Sequence, residues 1–427
     1  MKRSILSAAV ATAVVAGFAV FASQAARQPL FAPGQARAAL ASDASYQALT
    51  GDRATAGIEL VQADAAQIAA DSDTLQLSVG NRPLFARRTD FVNNPDGTNT
   101  WFGSLGKDPG LLGRLGAAFG SEITNDPRNS VIIVRNGDKL TGTLRIDGDL
   151  YALRSLKSGG HAIARIDETK MPADHPAEYG LLPRIEMGDA ADRFTTAARP
   201  APGDISIQAN TVIRVMVVAT QSAVNASGDI AGLVNLAIAE SNQGYANSGV
   251  AITLQLAGRY TTSYAQSGSF STDLSRFRGT TDGYMDTYHA TRNSVAADVM
   301  MLLINNSSSC GLASGIGSNA ATAFAVAHYG CATGYYSFAH EIGHLQSARH
   351  DIATDGTLTP YAYGHGYRSP TNAWRTIMAY NCSGGCPRIN YWSNPAKTYG
   401  GQAMGNTTRA HNQRVLNTTA GAIAGYR

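Results

Sequence analysis

The sequence predicts an α/β (α+β) fold in which a twisted mixed sheet carries its chemistry on a helix, with a smaller β-rich unit ahead of it. Three stretches carry that expectation. In SVIIVRNGDKLTGTLRIDGDLYALRSLKSGGHAIARID, the pairs Asn136-Gly137, Asp147-Gly148 and Gly159-Gly160 separate β-branched runs, as tight hairpin turns do. From Thr211 the pattern becomes strand, helix, strand. Further on, SFAHEIGHLQSARHD packs His340, Glu341, His344 and His350 into one short segment with helical spacing.

In chain order, MKRSILSAAVATAVVAGFAVFASQA opens with Lys2 and Arg3, continues with an apolar run too short to span a membrane, and ends in small residues. It reads as a signal peptide over residues 1–25, so the rest is expected to be secreted, with no membrane association after cleavage. An Ala- and Asp-rich stretch precedes the hairpins, and the β-rich unit is expected to end near Ala173. EMGDAADRFTTAARPAPGD, with Pro200 and Pro202, reads as a linker. The expected division is residues 26–200 as a β-rich prosegment and 201–427 as the main domain. Within the latter, TVIRVMVVAT and AITLQLAGRY read as strands flanking the helix DIAGLVNLAIAESNQGYANSG. A helix around Leu274 to Thr291, the strands ADVMMLLI and AFAVAHYG, the helix of interest and a last helix near Ala410 to Ile423 complete it.

At 427 residues with 44% hydrophobic content, the chain can bury a sizeable core. A net charge of +3, dispersed along the chain, argues against a nucleic-acid or membrane-surface partner, and a monomer is expected. The four cysteines, Cys310, Cys331, Cys382 and Cys386, suit disulfides in an oxidising compartment. Proximity favours Cys310 with Cys331 and Cys382 with Cys386. Their spacing fits no standard zinc pattern.

The spacing of His340 and His344 has a mechanical meaning. Two helical residues four apart lie about 40° apart around the axis and about 6 Å along it, so both imidazoles can face one metal ion. Glu341 is displaced around the helix and suits a base acting on a metal-bound water. A third ligand cannot be a later glutamate, because none follows Glu341. His350 remains, but an unbroken helix would carry it about 15 Å along the axis from His340, so the chain must turn out after His344. Position 347 is where glycine is usual, because a left-handed conformation costs it little, and Ser347 stands there instead. The penalty, about 1 to 2 kcal/mol, is small beside the roughly 10 kcal/mol that a bound structural zinc can return to folding, so the turn is expected to survive.

HEIGHLQSARHD resembles the extended HExxHxxGxxH motif of the metzincin metallopeptidases, and TIMAYNC supplies Met378 where those enzymes have a methionine turn. The resemblance covers about residues 205 to 427. It implies a metzincin-like catalytic domain with one catalytic Zn2+ on His340, His344 and His350, Glu341 as general base, and Met378 as an apolar floor beneath the imidazoles. Tyr380 matches the M-x-Y of astacins and serralysins, so it approaches the zinc or oxyanion, or else packs. Asp351 reads as a turn cap or a partner of the ligands. His289, His328, His365 and His411 have no spacing partner and read as structural.

The combination is most similar to the bacterial peptidyl-Asp metalloendopeptidases, reprolysin-like enzymes that cut on the N-terminal side of aspartate. Their likeness implies a secreted zinc endopeptidase acting on protein or peptide substrates. An acidic side chain in a desolvated pocket needs a cation, best an arginine. The pocket wall in metzincins follows the methionine turn, and CPRINYWSNP puts Arg388 there, with Arg368, Arg375 and Lys397 nearby in sequence. The alternatives are a secreted metallopeptidase of other specificity and a zinc-stabilised binding module without turnover; retention of Glu341 argues against the latter. No cysteine precedes Cys310, so no prosegment thiolate can cap the zinc. A prosegment that blocks the site must use a carboxylate or imidazole, with Asp174 and His175 in KMPADHPAEYG as candidates, or simple steric cover. The mature N-terminus is expected between Thr195 and Gln208.

Overall fold

The computed structural model describes residues 28–34, 36–106, 126–185, 187 and 210–427. The expected signal peptide and the expected maturation window both lie outside the described residues. No helix among those described is long and apolar enough to cross a membrane.

The N-terminal part is a nine-stranded antiparallel sheet, larger than the hairpins alone suggested. Its strands run in the spatial order Phe31–Pro33, Thr55–Ala63, His161–Ile166, Asp149–Ser155, Lys139–Ile146, Ser130–Asn136, Asn99–Gly106, Arg82–Asn93 and Thr74–Val79. The hairpins turn where expected, with Gly137, Asp147, Gly148, Gly159 and Gly160 all at positive φ. The stretch read only as Ala- and Asp-rich in fact contributes five strands, of which Thr74–Val79 alternates buried and half-buried residues. Gly80 and Asn81, both at positive φ, close its hairpin. The last strand ends at Ile166, and the chain beyond it continues across the second half of the molecule.

The C-terminal part holds a five-stranded sheet in the order Ile252–Thr262, Thr211–Thr220, Val299–Ile304, Phe324–His328 and Gly311–Ala313. The first four are parallel, and the short edge strand Gly311–Ala313 is antiparallel to its neighbour. Two-residue periodicity divides the central strand Thr211–Thr220 between two cores. Ile213, Val215 and Val217 pack with Phe338, Ile342 and Leu345, while Met216 and Val218 pack with Phe270, Leu274 and Phe277 on the other face. The expected helix from Leu274 to Thr291 is two helices, Phe270–Arg278 and Thr287–Ser294. Gly279 caps the first, and Gly283, at φ 83°, bends the chain between them. The other elements form where the pattern placed them, including Ile230–Ser248, closed by left-handed Gly249, and Asn412–Ile423.

The two halves meet along the helix Ile230–Ser248. Its capping residue Asp229 accepts hydrogen bonds from Gly232 N–H and from Asn136 and Thr141 of the N-terminal sheet. Leu236 and Ala239 pack on Phe102, Ile132 and Val134. Buried Arg145 and Arg154 reach across from the sheet to the Gly334 carbonyl and the Thr333 hydroxyl.

Candidate metal centre

The helix Ser337–Leu345 is fully buried and lies against the strands Phe324–His328 and Gly311–Ala313. It presents His340 and His344 to one side. Ser347, at φ 71°, makes the left-handed turn usually given to glycine. The N–H groups of Ser347 and Ala348 return to the carbonyls of His344 and Gly343 at 2.9 Å each, so the last helical carbonyls keep partners. The turn brings His350 back beside the first two rings.

His175 of the N-terminal part is the fourth member, and these four form the only cluster of potential metal ligands of three or more among the described residues. All six Nε2···Nε2 separations fall between 2.9 and 3.2 Å. Four points mutually equidistant to that degree are the corners of a near-regular tetrahedron. Nitrogens about 2.0 to 2.1 Å from a central ion would stand about 3.3 to 3.4 Å apart, slightly wider than seen. Ring protonation makes the same point. Nδ1 of His340, His344 and His175 faces the carbonyls of Ile377, Ala348 and Gly311 at 2.9, 2.8 and 2.9 Å. A carbonyl only accepts, so each Nδ1 carries the proton and each Nε2 presents a lone pair inward. Bare lone pairs converging in a buried space repel unless a cation joins them, so the donor set fits a metal ion. Burial first, and then the neighbouring imidazoles and arginines, depress all three helix-and-turn imidazoles well below the usual histidine range. Among the remaining histidines, buried His365 donates from Nδ1 to the His350 carbonyl at 2.8 Å and so helps hold that segment.

Glu341 is buried beside the cluster, its Oε1 3.6 Å from His175 Nδ1 and its Oε2 without a hydrogen-bond partner. Burial, reinforced by the charge of Asp174, pushes its carboxyl well above the ordinary range. Gly311 lies against it, and a Cβ there would collide with the Glu341 carboxylate. Beneath the helix, Ala379 N–H bonds to Thr376 O at 3.0 Å, making a tight turn in which Met378 is wholly buried. A Cβ on Gly343 would come 3.1 Å from the Met378 sulfur and 2.7 Å from the Trp392 ring, so the helix sits directly on that floor. The ring of Tyr380 lies 4.3 Å from that of His350. Asp351 is a partner of the turn, accepting from Tyr380 N–H at 3.1 Å and from Thr354 and Arg368.

The basic candidates now separate. Arg368 is committed to Asp351, and Lys397 lies on the strand Asn394–Tyr399 beside Gly249. Arg388 is fully buried, donates to the Tyr335 and Ala379 carbonyls at 2.9 and 3.1 Å, and lies 4.2 Å over the Tyr335 ring. It pairs with the Asp174 carboxylate at 2.7 Å, while Arg375 stands 3.9 Å from the same oxygen. Burial raises the Asp174 carboxyl, but the two guanidinium groups more than offset this and hold it below the usual range. Disulfides join Cys310 to Cys331 and Cys382 to Cys386. Asp174 and His175 both touch the site, the first at Arg388 and the second at the imidazole cluster. Tyr179, which no sequence signal marked, stacks on the His175 ring at 4.5 Å.

Residues 209–393 match the Reprolysin_5 model of metallo-peptidase family M12. The chain is 51% identical to the peptidyl-Asp metalloendopeptidase of Stenotrophomonas maltophilia (strain K279a), with 100% of both chains covered. It is 50% identical to the protein of that name from Xanthomonas campestris pv. campestris, over 94% of this chain and 95% of that one. A Pseudomonas fragi protein of the same name is 50% identical over its whole length, which spans 44% of this chain. With a buried cluster of imidazoles able to bind a metal ion and full-length similarity at this level, the chain belongs to the peptidyl-Asp metalloendopeptidases.

Proposed function

We propose that this metalloendopeptidase is secreted, uses one Zn2+, and hydrolyses peptide bonds on the N-terminal side of aspartate, with residues 1–25 as signal peptide, 26–200 as prosegment and 201–427 as the metzincin-like peptidase. His340, His344 and His350 would hold the ion, with Met378 in the methionine turn as their floor. Bound there, zinc supplies a Lewis acid that polarises the scissile carbonyl and makes water acidic enough to attack near neutral pH. Glu341 takes the proton from the attacking water at its carboxylate and passes it to the leaving amine. Tyr380, whose ring lies beside that of His350, would donate to the developing oxyanion. Arg388 orients the substrate by meeting its aspartate side chain.

The observation that carries the specificity is the buried Arg388, which already holds a carboxylate in a site where no water competes. Two measurements test the reading. Metal analysis of the active protein should find one zinc per chain, and Glu341→Gln should keep that zinc while turnover falls by at least about 100-fold. Digestion of a mixed protein extract should yield new N-termini led by aspartate. An active Glu341→Gln protein would overturn the mechanism, and N-termini led by leucine or phenylalanine would overturn the specificity.

A further inference from the structure

Beyond Ile166 the chain leaves the N-terminal sheet and crosses the histidine cluster. Ala173 pairs in parallel with Ser309, next to the edge strand, and the carbonyls of Ala173 and Asp174 accept from Cys310 and Gly311 N–H at 2.8 and 3.0 Å. Two adjacent side chains then point to two different parts of the site. The Asp174 carboxylate enters the buried pocket of Arg388, Arg375 and Tyr335. His175 completes the tetrahedron of imidazoles and is held there by Gly311 O and by the Tyr179 ring. Downstream, Ile316 N–H donates to Pro183 O at 2.9 Å and Ile316 O accepts from Ile185 N–H at 2.8 Å across the same rim.

We propose that Asp174-His175 is a reversed pseudo-substrate latch: the Asp174 carboxylate fills the subsite that takes the substrate aspartate, and His175 fills the fourth position around the metal. The inference rests on the reading of Arg388 given above.

Reversal follows from the order of the two residues. A bond cut before aspartate brings to the metal the carbonyl of the residue preceding that aspartate. In the latch, the residue at the metal follows it. With the carboxylate in the same pocket, the backbone therefore runs through the cleft in the opposite direction. The Ala173 carbonyl, which would be scissile in a substrate, is instead bonded to Cys310 N–H on the rim. The Ala173–Asp174 bond thus has the right sequence but is not presented for attack. Completion of the tetrahedron by His175 also removes the place where Glu341 would find a water. Because one peptide unit joins the two anchors, seating either one holds the other at high effective concentration.

The test uses the full-length chain carrying Glu341→Gln, so that it cannot process itself, with circular dichroism and melting as controls for folding. Loaded with Co2+, the chain should show a visible spectrum that changes on adding His175→Ala but not on adding Asp174→Asn. An unchanged spectrum in His175→Ala would overturn the metal half of the latch. For the pocket half, the chain bearing both Asp174→Asn and His175→Ala is titrated with the fluorescein-labelled peptide KMPADHPAEYG and with its asparagine analogue. The aspartate peptide should bind at least tenfold tighter, and adding Arg388→Gln should abolish the difference. Equal affinities, binding of neither peptide, or a difference that survives Arg388→Gln would overturn it. Failure of the specificity reading is separable, because it is seen in the N-termini of digested proteins, whereas failure of the metal half is seen in the cobalt spectrum.

Discussion

A buried arginine with no exposure cannot shed its charge, so it needs a carboxylate whenever the pocket is closed to water. Arg388 is fixed by two backbone carbonyls and the Tyr335 ring, leaving its remaining donors for one incoming anion. Arg388→Ala should leave a substrate carboxylate buried without a partner, at about 2 to 5 kcal/mol in the transition state. The expected result is a fall of tens to thousands of fold in kcat/KM for an aspartyl peptide, with little change for its asparagine analogue. Equal losses on the two peptides would show that Arg388 is only structural. Ser347 illustrates a different economy. It occupies a left-handed conformation that glycine would adopt more easily, and the turn holds because the returning segment places His350 on the cluster and keeps the helix carbonyls bonded.

The site helix is held from both sides by close approach. On one side Gly311 of the edge strand makes room for Glu341, and on the other Gly343 lets the helix rest on Met378 and Trp392. A methyl group at position 343 has nowhere to go, since the atoms it meets are themselves wholly buried. Gly343→Ala should lift the helix from its floor and destabilise the chain by about 1 to 3 kcal/mol, despite alanine's better helix propensity. Denaturant unfolding measures this, and release of bound metal to a chelator should quicken in parallel. A Gly343→Ala protein as stable as the parent would show that the floor yields.

Across the molecule, the N-terminal sheet is tied to the long helix Ile230–Ser248 by a mixture of apolar and buried polar contacts, and its own integrity depends on pH. Within it, the ring of His161 accepts from Leu140 N–H at 2.9 Å, and burial lowers its pKa to about 4. The folded value lies below the unfolded one of about 6.5. The unfolded chain therefore takes up the proton first as pH falls. The contribution of His161 to stability is complete above about pH 6.5 and is lost progressively toward pH 4, amounting to roughly 3 kcal/mol. His161→Gln, which keeps an acceptor for Leu140, should give a flatter dependence of unfolding free energy on pH across that window. Parallel curves for the two proteins would rule the linkage out. The same acid weakening would loosen the sheet that carries the segment Ala173–Tyr179 into the cleft.

Features that depend on local geometry are legible in the residues alone. A four-residue spacing puts His340 and His344 on one helical face whatever surrounds them, and Ser347 lies where the chain must turn to return His350. Hairpin dipeptides and continuous apolar runs announced the strands around them, because backbone conformation and strand burial act over a few residues. Five N-terminal strands carry weak local signals: Thr74–Val79 alternates only between buried and half-buried residues, and the other four keep no strict two-residue period of burial. How the site is completed and covered depends on contacts between distant segments. His175 stands 165 residues from His340 and Asp174 stands 214 from Arg388, and each pair is joined where the chain beyond Ile166 crosses the site rather than by any periodicity. KMPADHPAEYG could suggest an aspartate and a histidine to such a site, but not which reaches the metal and which the arginine. That choice follows from chain direction along the rim, where the Ala173 and Asp174 carbonyls bond to Cys310 and Gly311 and so aim the two side chains to different places.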